Sequence, residues 1–207
     1  MSKRDYIVVF NAGRSGSVKE SVDSIPFLIS SGIIKKGSIV GLPYEDKSLG
    51  IDTLLTFNVC KMLQNGAICH CTCAVDEVVF SRANSNNYKN SDIRKYLKKL
   101  IDRFDKKMQK HFLENDIVYV DAEDEQLKVV QDKFWLLDQM ELFTFYKTME
   151  ERKKKYLKDG SACSWWLRYP RTGNTSYEYF VYTSGSSNYF TYGSNNSLGC
   201  APACLIG

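Results

Sequence analysis

Beyond Arg171 the chain has no lysine or arginine, and its one carboxylate side chain there is Glu178. A phosphate-backbone site needs clustered cations, so this stretch is read as binding no nucleic acid. No apolar run approaches the ~18 residues of a membrane span. Ile7-Val8-Val9-Phe10 is too short for the core of an export signal. The reading is a protein made in a cytosol, without signal peptide or membrane insertion. Histidines number two, His70 and His111, and neither lies near a nucleophile pattern such as GxSxG. No CxxC pair occurs, and the seven cysteines are an odd number, which reads as free buried thiols. In Cys69-His70-Cys71-Thr72-Cys73, strand alternation puts the thiols on one face and His70 on the other, which converges poorly on a tetrahedral metal. Neither metal nor cofactor is expected, and no catalysis.

What is present is a length of 207 residues, enough for one domain with appendages or two small ones, and thirteen tyrosines. Tyrosine offers contact area and a hydrogen bond with few rotors to freeze, so tyrosine-rich surfaces suit recognition. A strand is predicted at Tyr6–Phe10. The loop Asn11–Ser17 lacks the spacing of a nucleotide P-loop. Residues 1–31 are read as an arm for attachment or oligomerisation. Further strands are predicted at Ile39–Pro43, Thr53–Val59, Ala67–Cys71 and Glu77–Phe80, with a hairpin turn at Asn65-Gly66.

The spacing of Ile93, Tyr96, Leu97, Leu100, Ile101, Phe104, Met108 and Phe112 predicts one helix of about five turns, N-capped by Ser91. Arg94, Lys95, Lys98, Lys99, Arg103 and their neighbours fall on its other side, read as a solvated face, with His111 on the exposed side or near the end. Ile117–Val120 reads as a strand, Asp138–Tyr146 as a second helix and Met149–Leu157 as a third, ending before Gly160.

Ser164-Trp165-Trp166-Leu167-Arg168 is a dense buried-strand signal. From Thr172 to Ser197 the composition collapses onto Ser, Thr, Asn, Gly and Tyr. Aromatics alternate with small polar residues in Tyr177–Thr183 and Tyr189–Tyr192, which predicts a hairpin turning at Thr183–Ser186. Cys200 to Ile206 reads as one closing buried strand carrying Cys200 and Cys204 on the same face.

Trp165-Trp166-Leu167-Arg168-Tyr169-Pro170, Tyr179–Gly185 and Gly199–Ile206 together resemble a WWLRSP-motif domain family of phages, prophages and gut Firmicutes. That family is related to C-type-lectin-like variable proteins diversified by retroelements. Tyr88–Leu97 resembles its Y-x-x-S-x-I-R-x-W-L helix and Asp132–Glu141 its D-x-x-F-L-L-S-x-x-E helix start. The resemblance covers roughly residues 32–207. Tyr169 departs from the usual Ser, Tyr96 from Trp, and the closing GCAPACLIG from the common form. It implies an α+β, C-type-lectin-like fold, with two or three helices packed on small antiparallel sheets. Residues 164–197 would be displayed between anchors at Trp165–Leu167 and Ala201–Ile206. Glu-Pro-Asn and Trp-Asn-Asp are absent, so no calcium-dependent sugar site is expected.

The function expected is that of a phage virion adhesin, or receptor-binding protein, on a tail or head fibre. Its partner would be a bacterial surface protein or glycan. Candidate ligand-binding residues are Asn174, Tyr177, Tyr179, Ser186, Ser187, Asn188, Tyr189, Phe190, Tyr192, Asn195 and Asn196, with the core reading preferred for Tyr182 and Tyr192. A homotrimer is expected, with residues 1–31 contacting other virion proteins. The alternative is a structural virion protein, such as a head decoration or baseplate subunit, whose lectin-like domain binds only other virion proteins.

Overall fold

The computed structural model describes residues 5–10, 16–171, 173–188 (Asn188 by its backbone) and 194–207. The class is α+β, and the chain forms two compact units. The first comprises Met1–Thr72, Lys99–Glu114 and Ala203–Gly207; the second comprises Cys73–Lys98 and Asn115–Pro202.

The first unit is built on an antiparallel sheet. From one edge its strands run Ser17–Ser21, Tyr6–Phe10, Ile39–Asp46, Ile51–Leu63, Gly66–Cys71 and Ala203–Ile206, and Phe112–Leu113 also pairs with the last. The stretch expected to be an arm therefore supplies two strands and the short helix Ile25–Ser30 to this unit, with Ile7 and Val9 fully buried. The turn expected at Asn65-Gly66 falls one residue earlier. Gly66 is already in the strand, because a side chain there would run into the Ile206 carbonyl. Gly66–Cys71 is buried along its whole length, so His70 is as sequestered as Cys69 and Cys71. Burial pushes the Cys69 and Cys204 thiols, which face each other across the sheet, well above the usual range. They stay protonated and inert.

The five-turn helix is not continuous. It runs Asp92–Leu100, tightens into a 3-10 turn at Ile101–Arg103, and breaks at Phe104, whose backbone is extended. Asp105 then starts a new turn, Lys106–Gln109, by accepting the Met108 amide at 2.9 Å. An N-cap inside an apolar repeat restarts the helix without changing its apolar spacing, which is why the periodicity hid the break. His111 lies beyond these turns. Its Nδ1 sits 2.8 Å from the Gly207 carbonyl, so it is held rather than solvated.

The second unit holds a five-stranded sheet in the order Ser187–Asn188, Glu178–Val181, Trp165–Pro170, Ser197–Cys200 and Asp76–Val79. Neighbours are antiparallel except Trp165–Pro170 and Ser197–Cys200, which run parallel. The expected single closing strand is two. Ala201-Pro202 separates Ser197–Cys200 from Ala203–Ile206, and the two pieces, with Cys200 and Cys204, belong to different units. A two-stranded ribbon, Asn115–Val120 with Leu127–Asp132, completes the larger β-elements of this unit. Gln139–Phe145 is helical as expected, with a full capping box between Asp138 and Glu141. The third helix stops at Arg152, since Lys154–Lys155 turns into a strand against Ala162–Cys163. Among the described residues there are five α-helices, where two or three were expected, and the sheet of the first unit is not small.

Candidate ligand-binding surface

The surface begins with its anchor. Trp165, Trp166 and Leu167 are fully buried. The Trp165 indole donates to the Arg152 carbonyl at 3.0 Å and the Trp166 indole to the Val78 carbonyl at 2.9 Å. Neither leaves its polar atom unpaired in the core, and each large ring contributes several kcal/mol of burial.

Arg168, 3% exposed, is the centre of the frame. Its guanidinium donates to the carbonyls of Val118 (3.1 Å) and Leu136, and to the carboxylates of Asp138 (2.8 Å) and Glu141. Those two acids also cap the Gln139–Phe145 helix. One cation thus ties the Trp165–Pro170 strand to a helix start, to the approach to that helix and to the 115–120 ribbon. Only a planar fork with five donors serves this geometry. A second pair works alike. Arg94 donates to both oxygens of the buried Asp132, at 2.7 and 3.1 Å, so Arg94 is not on the solvated face expected for it. The Asp132–Glu141 motif is therefore bonded both to Tyr88–Leu97, through Arg94, and to Trp165–Pro170, through Arg168. The sequence showed them only as separate signatures.

The polar segment is mounted on this frame. Asn174 builds the first turn: its side-chain oxygen accepts from the Ser176 amide (2.9 Å), the Ser176 hydroxyl (3.0 Å) and the Tyr177 amide (3.0 Å). That is an Asx turn, and it occupies the group expected to meet a ligand. The Asn86 amide group clamps the same turn, donating to the Asn174 carbonyl at 2.6 Å and the Tyr177 carbonyl at 2.8 Å. Beside it, Asn87 donates to both oxygens of Asp121. Lys128, hydrogen-bonded to Asp121 at 2.8 Å, is the main reason that carboxyl is held below its ordinary range. The turn is thus fixed through a relay of polar loops.

Along Glu178–Val181 alternate residues face inward. Glu178 and Phe180 are fully buried, whereas Tyr177 and Tyr179 are half-buried. Arg171 stacks its guanidinium 5.8 Å from the Tyr177 ring centre. Tyr179 meets Tyr169 edge-on, with ring centres 5.5 Å apart. Tyr182 is half-buried, with its ring 4.6 Å from that of Phe180. The next turn carries Ser184 and Ser186, whose hydroxyls are 2.9 Å apart. Gly185, at φ 86°, lies against the Met149 backbone, where a Cβ would collide with the carbonyl. Ser187 is half-buried, and Asn195 and Asn196 are exposed. The Asn188 side chain, Tyr189, Phe190 and Tyr192 lie outside the described residues.

Tyr169 and Arg171 belong to this surface and were not among the expected ligand-binding residues. Strand alternation on the neighbouring strand was the available signal for Tyr169. Nothing in the sequence announced the Asn86 clamp. The half-exposed groups are phenol edges, hydroxyls and amides, with Arg171 at one margin. Such a set stacks and hydrogen-bonds without demanding a charged partner. No His/Cys/Asp/Glu group arranged to hold a metal ion occurs among the described residues.

Residues 59–207 match the family described as Domain of unknown function (DUF6273), and the chain belongs to that family. No curated protein and no solved structure matches the chain.

Proposed function

We propose that this chain is a virion-associated ligand-binding protein of a bacteriophage, an adhesin that presents a neutral, tyrosine-bearing surface to a bacterial surface protein or glycan. The reading includes kinship with the WWLRSP-motif domains, a C-type-lectin-like frame for the displayed segment, and no catalysis. The observation that carries it is the Tyr169–Tyr179 pair, half exposed beside a polar turn that Asn86 clamps at the Asn174 and Tyr177 carbonyls. Rigid aromatic anchors ringed by small hydrogen-bonding groups are what a paratope uses. A preformed frame lowers the ordering cost of binding. Assembly as a homotrimer and contacts of residues 1–31 with other virion proteins belong to the same proposal. Trimerisation would turn weak single contacts into avidity.

The test titrates the fluorescently labelled full chain on a panel of intact bacterial cells and on immobilised glycans. Saturable binding is expected, weakened at least about tenfold by Tyr169→Ala with Tyr179→Ala while the circular dichroism spectrum is retained. Binding that this double variant leaves intact, or no binding to any cell or glycan, overturns the reading. Light scattering of the same preparation checks the trimer.

A further inference from the structure

Glu178 is the one carboxylate of the displayed segment, and it points the wrong way for a ligand. It is fully buried, and neither carboxyl oxygen has a hydrogen-bond partner among the described residues. Its cross-strand neighbour is Pro170, which has no amide hydrogen to donate, and the register of the two strands slips between Trp166 and Pro170. By strand alternation it shares the inner face with Phe180, whose ring packs 6.2 Å from that of Trp166. Phe80 then stacks on Trp166 at 5.6 Å. The carboxyl therefore lies on an aromatic face.

We propose that Glu178 makes the seating of the Glu178–Val181 strand depend on a bound proton: the neutral acid stays inside the sheet, and the carboxylate drives the strand and its polar turns open. An ionised carboxylate without a partner is among the most costly groups to bury. Among the described residues, the charged and titratable groups on the adjoining elements do not compensate it. Arg168 is engaged by Asp138, Glu141 and two carbonyls. Arg171 lies over Tyr177. On the elements behind Phe80, Arg94 is committed to Asp132. Tyr169, Tyr177, Tyr179, Tyr182 and Tyr88 bring phenols rather than cations, and Ser187–Asn188 carries no ionisable side chain. Burial accordingly pushes the Glu178 carboxyl well above its usual 4.5; the adjacent Tyr179 amide, which makes no hydrogen bond of normal geometry to it, offsets this only in part. This device stands whether or not the segment binds a partner.

The sign follows from linkage. A carboxyl whose closed-state pKa is raised favours the closed strand fully below about pH 4.5. That advantage shrinks as pH climbs toward the raised value. The opening equilibrium constant should rise about tenfold per pH unit over that window. The test is hydrogen exchange on the full chain from pH 5 to 9, with protection factors corrected for the intrinsic base-catalysed rate. Amides of Tyr179–Val181 should lose protection at that slope relative to Ile39–Asp46, and Glu178→Gln should flatten the dependence. A carbon-13 titration of the wild-type glutamate carboxyls provides a readout that no variant's folding can spoil. One resonance should titrate well above the rest. All glutamates titrating together in the ordinary range, or a slope unchanged in Glu178→Gln, overturns the proposal.

Discussion

Trp165–Pro170 and Glu178–Val181 are adjacent strands of one sheet, and each buries one ionisable side chain. Arg168 is surrounded by four acceptors, two of them carboxylates. The Glu178 carboxyl has no hydrogen-bond partner among the described residues. The difference teaches that burial alone does not say whether a charged group holds a structure together. A guanidinium with four acceptors locks three chain segments; an unsatisfied carboxyl on the neighbouring strand stores the cost of its own ionisation. The first strand is a frame and the second a movable part.

The sharpest way to break this contrast is to remove the lock. Arg168→Ala strands Asp138 and Glu141 near each other and orphans two carbonyls. It should cost about 3–5 kcal/mol in urea unfolding, and Arg168→Lys should recover only part of that. Next comes Gly185→Ala, which forces a side chain into the left-handed region and toward the Met149 carbonyl. About 1–3 kcal/mol is expected, measured as a lower Tm. Asp105→Ala removes the cap that restarts the broken helix in the first unit, and should cost about 1 kcal/mol in the same assay. Tyr179→Ala loses the edge contact with Tyr169, worth about 0.5–1.5 kcal/mol. Its larger consequence should appear in binding. Smallest of all, Asn195→Ala and Asn196→Ala should leave unfolding within about 0.5 kcal/mol of wild type. A large loss there would move those residues from the displayed part to the frame.

Most strands of the first unit were legible because their apolar runs and turn residues are local signals; Ser17–Ser21, mostly polar, and Phe112–Leu113, whose Phe112 falls on the apolar helical repeat, were not. The helix expected at Asp138–Tyr146 was legible as well, to within one residue at each end. What the chain order concealed is long-range pairing. Arg94 reads as one more cation on a basic helix until Asp132 is placed opposite it. Asn174 reads as a ligand contact until the Ser176 and Tyr177 amides are seen to use its oxygen. Leu127–Asp132 was not predicted as a strand, because Lys128 and Gln131 dilute its alternation and only the partner strand reveals the register. Glu178 stood out in the sequence as the single acid of a neutral segment, but only its burial gives that fact a meaning.

The pairing of Gly66–Cys71 with Ala203–Ile206 has a consequence for how the protein tolerates change. These strands enclose a loop of about 130 residues, and the whole polar segment lies within it. The entropy of closing a loop grows only with the logarithm of its length. Ten residues inserted among the polar turns would therefore raise that cost by less than about 0.1 kcal/mol. By that measure a change of length in the segment adds almost nothing to the entropy of closing this pairing.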